Sequence, residues 1–79
     1  GVAWFQAKGK WQSGGSVPTP GTIIFFDWDH DGASDHVGIV ESCDGTTVHT
    51  IEGNSGDAVK QNNYTVNSQS ILGYGLVAY

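Results

Sequence analysis

The pattern of apolar and polar positions changes character once along the chain. Val2-Ala3-Trp4-Phe5-Gln6-Ala7-Lys8 contains good helix formers, ends on a cation that suits a helix C-terminus, and runs into Gly9, a ready left-handed stop. It predicts a helix end over residues 1–9, with Trp4, Phe5 and Trp11 packed into a core. Residues 10–21 are rich in Gly, Ser and Pro and predict a loop, in which Pro18 and Pro20 restrict the residues before them. After Gly21 the pattern is that of strands. Thr22-Ile23-Ile24-Phe25-Phe26 is β-branched and aromatic, and short enough for a strand covered on both faces. His36 to Ser42 and Thr47 to Glu52 flank Asp44-Gly45, a strong hairpin signal. Tyr64-Thr65-Val66 and Ile71 to Ala78 read as last strands, with Gly73 and Gly75 marking a bend or a close backbone approach. The expected fold class is α+β: a helix end, then a curved antiparallel sheet of about five strands over residues 22–79, all in one domain.

Register decides which of these side chains share a face. A two-residue turn at Asp44 and Gly45 sets Val37 opposite Glu52 and sends His36 and Glu52 to opposite faces. A three-residue loop through Thr46 instead pairs Ile39 with Ile51, Glu41 with His49, Gly38 with Glu52 and His36 with Asn54. The second register matches apolar with apolar and acid with imidazole, so it is the one expected. It gathers His36, Glu52 and Asn54 on one face, beside Gly38, which has no side chain. A carboxylate or amide next to a histidine fixes its tautomer and leaves the other ring nitrogen for proton transfer. The competing reading is an ordinary strand-end histidine and a solvated acid. His30, in an acidic loop, and His49, paired with Glu41, lack metal-ligand spacing to a second histidine or cysteine.

Composition narrows the partners. A chain of 79 residues buries only ~60% of its unfolded surface, so it needs a staple or a partner. The single cysteine, Cys43, rules out an internal disulfide framework. No apolar run is longer than Ile23 to Phe26, far short of the ~18 residues that cross a bilayer, so neither a transmembrane helix nor a signal peptide is expected. Three basic residues, all lysine, against a net charge of −5 argue against nucleic acid. A chain that opens on Gly1 and contains no methionine predicts a processed product or an excised piece.

Four of the eight acids fall in Asp27-Trp28-Asp29-His30-Asp31-Gly32-Ala33-Ser34-Asp35. Asp27, Asp29, Asp31 and Asp35 take the first, third, fifth and ninth places, with Gly32 at the sixth, as in the first part of a calcium loop. The twelfth place, where a bidentate glutamate belongs, is Gly38, and strands rather than helices flank the loop. An EF-hand is therefore not expected. A weaker calcium site on these four carboxylates is the metal reading, and a solvated acidic turn is its rival; no cofactor is required in either.

The order of segments then carries a resemblance. Pro20-Gly21-Thr22-Ile23-Ile24-Phe25-Phe26-Asp27-Trp28-Asp29, Asp35-His36-Val37-Gly38-Ile39-Val40-Glu41, Val48-His49-Thr50-Ile51-Glu52-Gly53-Asn54 and Ile71-Leu72-Gly73-Tyr74-Gly75 resemble a CHAP domain. This is the family of cysteine, histidine-dependent amidohydrolases/peptidases, and the likeness runs from Trp4 to Tyr79. It implies a papain-like fold, of which this chain would be the C-terminal half-domain. It also implies cleavage of peptidoglycan as an amidase or endopeptidase, in a secreted or cell wall-associated protein of bacterial or phage-lysin type. By the resemblance His36 is the general base, Glu52 orients it, and Asn54 is a further polar group at the site.

The family's nucleophile is a cysteine at the start of a helix upstream of the sheet, and this sequence has no counterpart. Cys43 lies seven residues from His36 along one strand, about 23 Å at ~3.3 Å per residue, and in the expected register points to the other face. The chain alone is therefore expected to be inactive, a fragment with the base but not the attacker. Peptidoglycan peptides are the expected partner, together with self-association or pairing with the missing N-terminal half; no membrane partner is expected. A non-catalytic cell-wall peptide-binding module and a calcium-stabilised structural module are the alternatives.

Overall fold

The computed structural model describes residues 1–53 and 58–78. One short helix, α1 (Val2–Ala7), is followed by six strands: β1 (Trp11–Ser13), β2 (Ile23–Phe26), β3 (His36–Cys43), β4 (Thr47–Gly53), β5 (Val59–Thr65) and β6 (Ile71–Gly75). They form a single sheet in the order β1-β6-β2-β3-β4-β5, with every neighbouring pair antiparallel. The helix stops as its sequence predicts, with Lys8 at its end and Gly9 at a φ of 68°.

Residues 10–21, expected to be loop throughout, include the extra strand β1, which makes the sheet six-stranded rather than about five. Trp11, Gln12 and Ser13 pair with Gly75, Tyr74 and Gly73 of β6. Three residues are too few for a periodic signal, and the pairing depends on glycines distant in sequence. A Cβ on Gly75 would lie 2.7 Å from the Phe5 ring, and one on Gly73 would meet Trp11. The close approach foreseen at these glycines is thus what lets α1 and β1 lie on the sheet. Phe5 and Trp11 pack edge-on or tilted against Phe25, whereas Trp4, expected in the core, is half exposed.

The core lies on the opposite face. Ile24, Phe26, Val40, Val48, Val66, Ile71 and Tyr74 form it, with Cys43 and Tyr64 packed at its margin. The sheet curls around this cluster. Strands β2 and β5 stand three places apart, roughly 14 Å in a flat sheet, yet the rings of Phe26 and Tyr64 are 4.8 Å apart. Along β4 the burial alternates, with Val48, Thr50 and Glu52 pointing inward. Two of those three are polar, so one end of the concave side is built from hydrogen-bonding groups.

The hairpin reaches the expected register by an unexpected route. Ile39 pairs with Ile51, as anticipated, but nearer the turn Cys43 pairs with Val48 and Ser42 with His49. The connection is one residue longer than expected, and a bulge at Glu41 absorbs the difference. The Asp44 carboxylate holds the turn by accepting the N–H groups of Thr46 and Thr47, both at 2.8 Å. Two expectations fail as a result. Glu41 accepts from the Gln61 amide instead of meeting His49, whose Nδ1 contacts Asn63. Cys43 turns to the core side, opposite buried Val48, rather than to the other face.

Candidate active site

The alternation of β3 and β4 brings His36 and Glu52 together on the concave side. His36 is the first residue of β3, opposite Phe26, and its ring lies 5.7 Å from that phenylalanine and 6.0 Å from Trp28. Its Nε2 is 2.9 Å from Glu52 Oε1. Gly38 makes the pairing sterically feasible, because a Cβ there would stand 2.7 Å from Glu52 Cγ. Asn54, the third residue expected at the site, lies outside the described residues.

Glu52 is only 4% exposed, and an isolated carboxylate so placed would be strongly disfavoured. It is not isolated. Thr50 Oγ1 donates to Oε2 at 2.6 Å and Tyr64 OH donates to the same oxygen at 2.8 Å, while His36 holds the other. Burial pushes this carboxyl up, but the hydrogen bonds from Thr50, Tyr64 and His36 outweigh it and hold the group below the usual glutamate range. An ionised carboxylate only accepts, so His36 Nε2 carries a proton, and in the neutral imidazole Nδ1 is then the nitrogen with the lone pair. Among the described residues, Nδ1 makes no hydrogen bond. An open cleft of about 480 Å³ adjoins the pair, with Trp28, Lys60, Asn62 and Tyr64 on its walls.

Thr50, Tyr64 and Trp28 are the members that sequence reasoning missed. Period-two alternation in β4 could have found Thr50, two residues before Glu52 and on the same face. Tyr64 carried no local signal. It sits on the neighbouring strand, opposite Val48 and four rungs from the partner of Glu52, yet its hydroxyl reaches Glu52 Oε2.

The acidic loop lies between β2 and β3 and adjoins the site through Trp28. Its four carboxylates place one oxygen each within 4.8 Å of one another. Asp27 accepts from the backbone N–H of Gly32 at 2.8 Å and Asp31 at 3.2 Å. Asp35 accepts from Trp28 N–H at 2.8 Å and Asp29 N–H at 3.4 Å. Burial works against ionisation of Asp27, yet the N–H groups of Gly32 and Asp31 leave its carboxyl below the usual range. Asp29 is pushed up to about 6 by loss of solvent, by hydrogen bonds shared with Asp27 and Asp31, and by the charges of Asp31 and Asp35. Four hard oxygen donors this close are a donor set suited to calcium.

A family model described as CHAP domain matches residues 1–54. The chain belongs to the CHAP domain family. The match covers α1, β1, β2 and the whole β3–β4 hairpin, including both His36 and Glu52. CHAP domains are generally hydrolytic amidases or peptidases that act on peptidoglycan, typically within cell-wall lytic proteins. No curated protein and no solved structure matches the chain. Among the described residues, no helix is long and apolar enough to cross a membrane.

Proposed function

We propose that this CHAP chain supplies the base half of a cysteine-dependent peptidoglycan amidase or endopeptidase, and that the attacking thiol comes from outside these 79 residues. The observation that carries the reading is the 2.9 Å contact of His36 Nε2 with a buried, ionised Glu52, which leaves Nδ1 available beside the cleft. In the reaction Nδ1 removes the thiol proton, and the thiolate attacks the amide carbonyl. Glu52 balances the imidazolium that forms, through the proton on Nε2. The imidazolium then gives its Nδ1 proton to the departing amine, leaving a thioester. Water resolves the thioester, with His36 again acting as base. Asn54, two residues after Glu52 in sequence, is a further polar group of this site.

Cys43 is the one cysteine in the chain, and it does not serve as attacker. It is half-buried against the core at the far end of β3, about 23 Å along the strand from His36. In this reading the six strands and the short helix are the sheet half of a papain-like arrangement, and the parent protein works at the cell wall. The test is to add peptidoglycan stem peptides to the isotope-labelled chain. Resonances of Trp28 and His36 are expected to shift with no peptide cleaved. Placed behind a helix that opens with cysteine, the chain is expected to release amino groups from cell walls, and the same fusion carrying His36→Ala is not. No shift at millimolar peptide, together with a silent fusion, would contradict the reading; shifts with a silent fusion would favour a binding module.

A second reading, calcium on the acidic loop, is favoured by the convergence of Asp27, Asp29, Asp31 and Asp35 within 4.8 Å. Calcium would add positive charge beside Asp29, whose carboxyl the crowding otherwise pushes up to about 6, and Trp28, tied by its N–H to Asp35, would report the binding. A calcium titration followed by tryptophan fluorescence is expected to saturate by millimolar concentrations. A flat response there rules out the site.

A further inference from the structure

We infer that Tyr64, assisted by Thr50, is a positioning residue for the base: its phenol holds Glu52 Oε2 so that Oε1 alone is presented to His36. The inference deepens the proposed function and rests on it, since it assigns what keeps the His36–Glu52 pair in register.

A glutamate has three side-chain torsions, and its two oxygens are equivalent. A carboxylate held only by His36 could rotate about its last torsion or swing away from the imidazole. The geometry removes that freedom. Two hydroxyls converge on Oε2, Thr50 at 2.6 Å from the same strand and Tyr64 at 2.8 Å from β5, while Oε1 faces Nε2. Donors from two strands on one oxygen and an imidazole from a third on the other fix both the position and the plane of the group.

Both donors are neutral hydroxyls, which satisfy the carboxylate without cancelling its charge. A lysine in place of Tyr64 would compete with the imidazolium for Glu52. A hydroxyl strengthens Glu52 as an acceptor and leaves its charge for His36. Burial, followed by the contact with Glu52, pushes the phenol of Tyr64 far above its ordinary range, so it stays protonated and keeps donating. Among the described residues, the charged and titratable groups facing Glu52 are His36 from β3 and, from β5, Tyr64 and Lys60, the cross-strand partner of Glu52.

The tyrosine is itself held. Its backbone lies opposite Val48, four rungs from Lys60 and on the inward-facing side of β5, and the ring leans along the cleft toward Glu52. Phe26 at 4.8 Å and Trp28 at 6.1 Å set that tilt. Space-filling alone does not call for the hydroxyl, because phenylalanine would pack against the same rings. Residue 64 also lies beyond the matched residues 1–54, so the strand that follows the hairpin contributes the clamp to a pair carried by the hairpin.

The test uses the 79-residue chain, labelled with nitrogen-15 and carbon-13. In the unmodified protein the Nε2–H proton of His36 and the hydroxyl proton of Tyr64 are expected in slow exchange, each with a cross-relaxation peak to the Glu52 side chain. Absence of the Tyr64 peak overturns the inference without any substitution. Absence of the His36 peak overturns the underlying pair, and the two failures are thereby told apart. Tyr64→Phe is expected to keep the amide spectrum away from the cleft, to speed Nε2–H exchange about tenfold through loss of a hydrogen bond to a charged acceptor, and to move the Glu52 titration upward. Thr50→Val is expected to act in the same direction, and the double variant more than either. A Tyr64→Phe chain with His36 exchange and Glu52 titration unchanged would show that the phenol merely fills space.

Discussion

Two clusters of acidic groups stand side by side in this molecule and solve the same problem in opposite ways. Around Glu52 one carboxylate is buried, and hydrogen-bond donors with no negative charge, from three strands, surround it. Between β2 and β3 four carboxylates crowd together with backbone N–H groups as their main partners, and three of the four are exposed. The first arrangement holds its charge, and the Glu52 carboxyl sits below the usual range. The second holds its charges less readily, and Asp29 is pushed up to about 6. Donors fixed in advance by strands make an acid a dependable partner for an imidazole, whereas crowding makes it a receptor for a proton or a cation.

The largest expected effect comes from removing the acid itself. Glu52→Ala leaves the hydroxyls of Thr50 and Tyr64 and the His36 N–H without their acceptor on the concave side, and is expected to destabilise the chain by about 3 kcal/mol; urea unfolding measures it. Gly38→Ala comes next. Its new Cβ would sit 2.7 Å from Glu52 Cγ, forcing that side chain aside at a cost of about 1–3 kcal/mol. It is also expected to remove the slow-exchanging Nε2–H of His36. An unfolding midpoint and imidazole spectrum like those of the parent chain would mean that the close approach is not tight.

The two clusters also predict opposite responses to pH. Glu52 has a folded-state affinity for protons below its ordinary 4.5, so its contribution to stability is present above that value and is lost as pH falls through the lower folded value. Asp29 is raised from 3.8 to about 6, so its contribution is present below 3.8 and is lost as pH rises toward and through 6. Asp29→Asn is therefore expected to flatten the decline between pH 4 and 7 and raise the melting temperature at neutral pH by at most a few degrees. Calcium is expected to do the same for the unmodified chain and much less for the variant. A melting temperature that falls from pH 7 to 4 more steeply in Asp29→Asn than in the parent chain sharpens the comparison by isolating Glu52 and Asp27; no difference between variant and parent over that range breaks it.

Much of this was legible in residue order, for identifiable reasons. Asp44-Gly45 marks the hairpin, and matching Ile39 to Ile51 selects the register that puts His36 and Glu52 on one face; both are local or pairwise signals. The bulge at Glu41 was not legible, because lengthening the turn by a residue and bulging the strand by one cancel at the level of register. The face of Cys43 was misassigned for that reason. β1 escaped notice because three residues against distant glycines leave no periodic trace. The early start of β5 was hidden by Lys60, Gln61, Asn62 and Asn63, an edge-strand run without apolar alternation. Tyr64 was hidden by its four-rung offset, since no spacing rule connects a residue opposite Val48 to a carboxylate on Glu52.

The most direct measurement of the central claim is the tautomer of His36, read from long-range proton–nitrogen correlations of its imidazole ring in the neutral form. The account predicts a protonated Nε2 that sees the Glu52 side chain, and an Nδ1 with the shift of a bare, unprotonated ring nitrogen. A proton resident on Nδ1, or an imidazole whose two nitrogens average rapidly as in free histidine, would contradict it.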